Sequence, residues 1–127
     1  MVLCLVDDLI FSVKISTAAK ALGVPVFFER AAEMALSRVR EQSPSLVVVD
    51  LNSQKLRPLD IIAQMKSDPA LKTVKVLGYV SHVQTDVIAA ARAAGIDEVL
   101  ARSAFSERLG EILSSSSTAP ADQDRAE

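Results

Sequence analysis

Five short apolar runs, most of them uninterrupted and rich in valine, constrain the fold of this 127-residue chain more than any other feature. They lie at Val2–Val6, Val24–Phe28, Ser45–Asp50, Val74–Val80 and Glu98–Leu100. A strand with one wet face alternates apolar and polar residues. A continuous apolar run is buried on both faces, the habit of parallel sheets covered by helices. Helical stretches separate the runs, at Leu9–Leu22, Ala31–Gln42, Leu59–Met65, Gln84–Ala94 and Ser103–Leu113. The first is apolar at Ile10, Val13, Ala18 and Leu22 and stops at Gly23. The second carries Ala35, Leu36 and Val39 on one face, and Pro58 suits the first turn of the third. The fourth is alanine-rich and stops at Gly95, and the last is apolar at Phe105, Leu109, Ile112 and Leu113. Strict alternation with short connections predicts an α/β fold, a (βα)5 sandwich in which helices cover both faces of a parallel sheet.

One domain over residues 1–114 accounts for this pattern. The chain ends SSSSTAPADQDRAE, polar and without period, so 115–127 is expected to be a disordered tail. No second domain follows, so any output is expected to pass through a protein partner. Half of the residues are hydrophobic, enough for a core without covalent staples. The net charge of −2 and the lack of a basic block argue against nucleic-acid binding. The only cysteine, Cys4, lies inside the first run; it excludes an intrachain disulfide and suits a reducing compartment as a small buried residue. There is no charged n-region, and Asp7-Asp8 interrupts the first apolar stretch, so a signal peptide is not expected. No run approaches the roughly 20 residues of a membrane span. A soluble cytoplasmic protein is the expectation.

The carboxyl ends of parallel strands share one sheet edge, where ligands bind in open α/β folds. Asp7 and Asp8 follow the first run and Asp50 closes the third. Three acids gathered there repel one another unless a proton or a cation intervenes, which makes them a candidate metal and phosphate site. Plainer roles stand beside this one. Asp8 suits an N-cap and Asn52 a turn. His82, the only histidine, is expected to be an exposed loop or cap residue. Lys55 and Arg57 either attract a phosphodonor or acidic partner or are simply solvated. Of Leu9, Ile10 and Phe11, one is expected to face the sheet and another to remain exposed as a partner contact. Ile88–Ala94 reads as core packing or as a helix interface.

The segments LVDD (Leu5–Asp8), VVVDLN (Val47–Asn52), KSDPALKTVKVLGY (Lys66–Tyr79) and AAGIDEVLAR (Ala93–Arg102), in that order, resemble the receiver domains of two-component response regulators. The resemblance spans about residues 1–114. It implies a flavodoxin-like fold with strand order 2-1-3-4-5. It implies Asp50 as phosphoacceptor, and Mg²⁺ held by Asp7, Asp8, Asp50 and the main-chain carbonyl of Asn52. It further implies a histidine kinase or phosphotransfer protein as donor, a downstream protein as target, and a monomer or homodimer. It implies that the chain is not an enzyme, with at most Mg²⁺-dependent self-phosphorylation and dephosphorylation. The residue types suit that chemistry: magnesium takes hard oxygen ligands, and a carboxylate is the nucleophile that forms an aspartyl phosphate.

Other positions depart from the pattern. Where receivers carry a Thr or Ser that contacts the phosphoryl group, this chain has Val80, which cannot donate a hydrogen bond. Ser81 is next door, but strand side chains alternate faces, so it replaces Val80 only through a bulge. Arg102 stands for the usual Lys, with a larger planar fork. It is a candidate ion-pair partner of Asp50 or Asp8. Ser103 stands for the following proline, and Gln54, Arg57 and Pro58 replace the usual loop after Asp50. Two readings follow: a single-domain receiver phosphorylated on Asp50, or a pseudo-receiver, an interaction module that is not phosphorylated. An aspartate-nucleophile phosphatase requires a second Asp where Asn52 stands, and a nucleotide-binding module requires a glycine-rich loop that Asp7–Phe11 lacks.

Overall fold

The computed structural model describes residues 1–81 and 84–117, with the main chain alone at 116 and 117. His82 and most of the expected tail lie outside the described residues. Among the described residues eleven elements follow one another: β1 (Val2–Leu5), α1 (Leu9–Leu22), β2 (Val26–Phe28), α2 (Ala32–Gln42), β3 (Leu46–Asp50), α3 (Pro58–Ser67), β4 (Lys75–Val80), α4 (Thr85–Ala94), β5 (Glu98–Ala101), α5 (Arg102–Glu107) and α6 (Leu109–Ser117). The strands form one parallel sheet in the order β2-β1-β3-β4-β5, with Val2 beside Leu46, Leu46 beside Lys75 and Leu77 beside Glu98. This is the flavodoxin-like order.

The valine-rich runs are buried on both faces, as continuous apolar strands must be. Leu3, Leu5, Val47, Val49, Val76 and Val80 face one layer, with Ala35 and Val39 of α2, Ile61, Ile62 and Met65 of α3, and Ala91 of α4. Val2, Cys4, Leu46, Val48, Leu77 and Tyr79 face the other, with Phe11, Ile15 and Ala19 of α1, Phe105 of α5, and Leu109, Ile112 and Leu113 of α6. Cys4 is fully buried, and burial pushes its thiol far up, so it is an inert packing residue. No helix among the described residues is long and apolar enough to cross a membrane.

Two expectations about helices are corrected. The inward face of α1 is Phe11, Ser12, Ile15 and Ala19, whereas Ile10, Val13 and Leu22 are exposed and Ala18 only partly buried. The large ring of Phe11 finds Tyr79 and Phe105 beneath it, and its i, i+4, i+8 stripe outweighs the aliphatic one on the opposite side. The expected choice among the first three residues of α1 is realised with Phe11 inside and Leu9 and Ile10 outside. The final helical stretch is broken at Arg108 into α5 and α6, and α6 runs on through Ser117, into the segment read as tail. On α4 only Ala91 is fully buried, while Val87, Ile88 and Ala94 pack partly against the α3 side.

Candidate functional site

The loop after β1 carries Asp7 and Asp8 to the carboxyl edge of the sheet. Asp8 is extended and caps α1: its Oδ1 accepts from the main-chain N–H of Ile10 at 2.9 Å and of Phe11 at 3.2 Å. A carboxylate at a helix N-terminus is favoured by the orphan N–H groups and the helix dipole. Its Oδ2 accepts from Arg102 Nη2 at 2.5 Å. Arg102 opens α5, and its guanidinium carbon lies 4.6 Å from the ring centroid of Phe11. Of the two partners foreseen for Arg102, the structure selects Asp8. Asp8 is thus a cap and an ion-pair partner at once. Asp7 has Lys55 Nζ at 3.8 Å; both side chains are well exposed, so this pair adds little stability.

Asp50 closes β3 in the middle of the sheet. Its Oδ1 accepts the N–H of Asn52 at 2.9 Å, and Ser53 N–H donates to the Asp50 carbonyl at 3.2 Å, so the chain turns sharply there. Burial pushes the Asp50 carboxyl above its ordinary value. The Asn52 N–H and the Arg102 charge pull it back, and Asp8 and Asp7 push it up again. Asp50 therefore feels the charges of both Asp8 and Asp7. Among the described residues, however, no three His, Cys, Asp or Glu side chains are arranged as a ready metal cage. Asp8 is turned toward α1 and Arg102.

Val80 is buried in the layer under α3 and α4, and β4 stays in register through it, opposite Ala101. The bulge that would let Ser81 take its place does not occur. Ser81 Oγ donates to Asn52 Oδ1 at 2.9 Å instead, and its N–H donates to the same oxygen at 2.7 Å. Asn52 Nδ2 donates to Gln84 Oε1 at 2.5 Å. Gln84 was not foreseen from the sequence, because nothing local marks a glutamine there as a partner of the loop after β3. In that loop Arg57 adopts a left-handed φ of 48° just before Pro58, and Ser53 Oγ accepts from Leu56 N–H.

Tyr79, paired in register with Asp50, fills the space between Phe11 and Phe105, with ring centroids at 4.7 and 5.1 Å. Its hydroxyl is buried without a hydrogen-bond partner among the described residues, and burial, then the Asp50 charge, push the phenol upward. A buried hydroxyl without a partner costs about 1–3 kcal/mol. Tyr79→Phe is accordingly expected to raise stability by about 1 kcal/mol, read as a higher urea midpoint at unchanged slope. A fall in the midpoint would contradict this description of the pocket.

No protein-family model matches the sequence, and no curated protein matches it either. Solved structures do. The phosphorylated cyanobacterial phytochrome response regulator RcpA superposes with a TM-score of 0.75 at 22% identity, over 92% of this chain and 90% of that one. Its fold is the receiver fold. A response regulator from Hahella chejuensis gives a TM-score of 0.79 at 18% identity, covering 89% and 91% of the two chains. The Mn²⁺-bound form of the response regulator Rcp1 gives 0.72 at 19%, covering 87% and 89%. The five-stranded parallel sheet in the order 2-1-3-4-5 with flanking helices is the fold shared with these structures.

Proposed function

We propose that this chain is a cytoplasmic single-domain receiver that accepts a phosphoryl group on Asp50 in a two-component phosphorelay and signals through protein–protein contacts. The observation that carries the reading is the Asp50 carboxylate. It is half-buried at the end of the central strand of a receiver fold, within reach of the charges of Arg102, Asp8 and Asp7. A partly desolvated carboxylate at the edge where ligands bind is suited to in-line attack. One of its oxygens attacks phosphorus, and the P–N bond of a phosphohistidine on a kinase or phosphotransfer protein breaks. The electron pair remains on the imidazole, which takes a proton from solvent, and the product is a mixed anhydride.

The donor set fits a hard cation. Mg²⁺ is satisfied by one or two carboxylates, a carbonyl and water. Asp7, Asp50 and the Asn52 carbonyl would hold it, and Asp8 would join them on leaving Arg102. A bound Mg²⁺ would neutralise charge between the carboxylate and the incoming phosphoryl group. That the response regulator Rcp1 has a Mn²⁺-bound form supports a divalent ion here. Arg102, released from Asp8, keeps a positive charge beside the incoming phosphoryl oxygens.

The engaged state of Asp8 and the apolar Val80 favour a second reading, a pseudo-receiver that binds partners without being phosphorylated. The test is incubation with Mg²⁺ and a small phosphodonor followed by intact mass. A gain of one phosphoryl group, converted by borohydride to homoserine at position 50, supports the receiver. No gain leaves the interaction module.

A further inference from the structure

Asp50 and the start of α4 are joined through one residue. Asn52 gives its main-chain N–H to Asp50 Oδ1, and its side-chain amide reaches across to the β4–α4 connection. There its Oδ1 accepts twice from Ser81 and its Nδ2 donates to Gln84 Oε1. Gln84 is the N-cap residue of α4, yet its side chain makes no cap bond. Its amide is engaged by Asn52 instead. The element beyond it is only partly anchored. Only Ala91 of α4 is fully buried, and a groove of about 280 Å³ lies between the loop after β3 and Val87 of α4. An element held by few buried contacts shifts at low cost. The Val80 side chain carries no polar atom with which to relay a change at Asp50.

We infer that Asn52 is a positioning residue that couples the chemical state of Asp50 to the first turn of α4 through Gln84. The inference rests on the reading of Asp50 as phosphoacceptor. A group bonded to the Asp50 carboxylate withdraws charge from the oxygen to which the Asn52 N–H donates. The turn at Asn52 then re-aims, and the side-chain amide moves Gln84 with it. Coupling of this kind is reciprocal, so the position of α4 also biases loading of Asp50.

The experiment uses the full chain with Mg²⁺ and beryllofluoride, a phosphoryl mimic. Bound fluoride is read by ¹⁹F NMR, and the response by amide hydrogen exchange at Thr85–Ile88. In the unsubstituted protein, loading changes exchange there by about fivefold or more, the lower end of ordinary coupling. At saturating beryllofluoride Gln84→Ala still loads fully, but its response falls below about twofold on the same scale. Gln84→Glu keeps an acceptor for Asn52 Nδ2 and restores the response. A merely structural Gln84 would alter exchange without loading and leave the response to loading intact. Gln84→Ala that loads and responds fully overturns the coupling while the phosphoacceptor reading stands. Absence of bound fluoride in the unsubstituted protein overturns that reading, and the coupling with it.

Discussion

Asp50→Asn is expected to abolish phosphoryl gain outright and, in metal-free buffer, to raise the melting temperature at neutral pH. The amide oxygen still accepts the Asn52 N–H that shapes the turn, so the local fold survives while the nucleophile is lost. The stability effect follows from the direction of the Asp50 shift. Burial holds its folded carboxyl above the ordinary 3.8, the Asn52 N–H and Arg102 oppose this, and Asp8 and Asp7 add to it. The folded state therefore binds this proton more tightly than the unfolded chain does. Stability is lost as pH rises from the unfolded value through the raised folded one, and the deficit persists above it. The side-chain amide of the variant has no such proton to lose. The advantage of the variant should be absent near about pH 3, grow through the carboxylate range and level off above it. Melting curves in EDTA across that range measure it. An advantage that does not grow with pH would mean that the carboxylate is not strained by its surroundings, and phosphoryl gain surviving in the variant would place the acceptor elsewhere.

The acids and the sheet were legible because each rests on local pattern. Unbroken valine runs specify strands buried on both faces, and an aspartate after such a run lands at the carboxyl edge. Asp8 as a cap was equally local. Less legible were features decided by tertiary contact. Two apolar stripes compete on α1, and only the aromatic neighbours Tyr79 and Phe105 choose Phe11 over Ile10. Arg57 adopts a left-handed φ that sequence rules reserve for glycine or asparagine. The break at Arg108 has no proline or glycine at that position to announce it; its guanidinium reaches toward Glu98 and Glu111. The bond from Asn52 to Gln84 joins loops 32 residues apart, and no period or spacing encodes such a pair. The same is true of Arg102, whose choice of Asp8 over Asp50 depends on where α5 begins relative to the α1 cap.

That junction of α1 and α5 depends on Phe105, and Phe105→Ala is expected to cost about 3–5 kcal/mol, the usual range for truncating a buried phenylalanine. Phe105 is fully buried, stacked on Tyr79 at 5.1 Å and tilted against Phe11 at 5.6 Å. Removing the ring leaves a cavity at the meeting point of β4, α1 and α5. It also removes two aromatic contacts, each worth about 0.5–1.5 kcal/mol beyond area alone. Against a total stability of about 5–15 kcal/mol for a domain, a large part of the margin is lost. Urea unfolding should show a lower midpoint at similar slope, and Phe105→Leu, which conserves most of the volume, should lose less than half as much. The effect also reaches the site: Phe11 supports the Arg102 guanidinium, and Arg102 holds Asp8. A loosened Phe11 weakens the grip on Asp8, so at the proposed Mg²⁺ site Phe105→Leu, still folded, is expected to bind the ion no more weakly than the unsubstituted protein despite its lower stability. A Phe105→Ala protein within about 1 kcal/mol of the unsubstituted one would show that the three-ring cluster is not the keystone of this face.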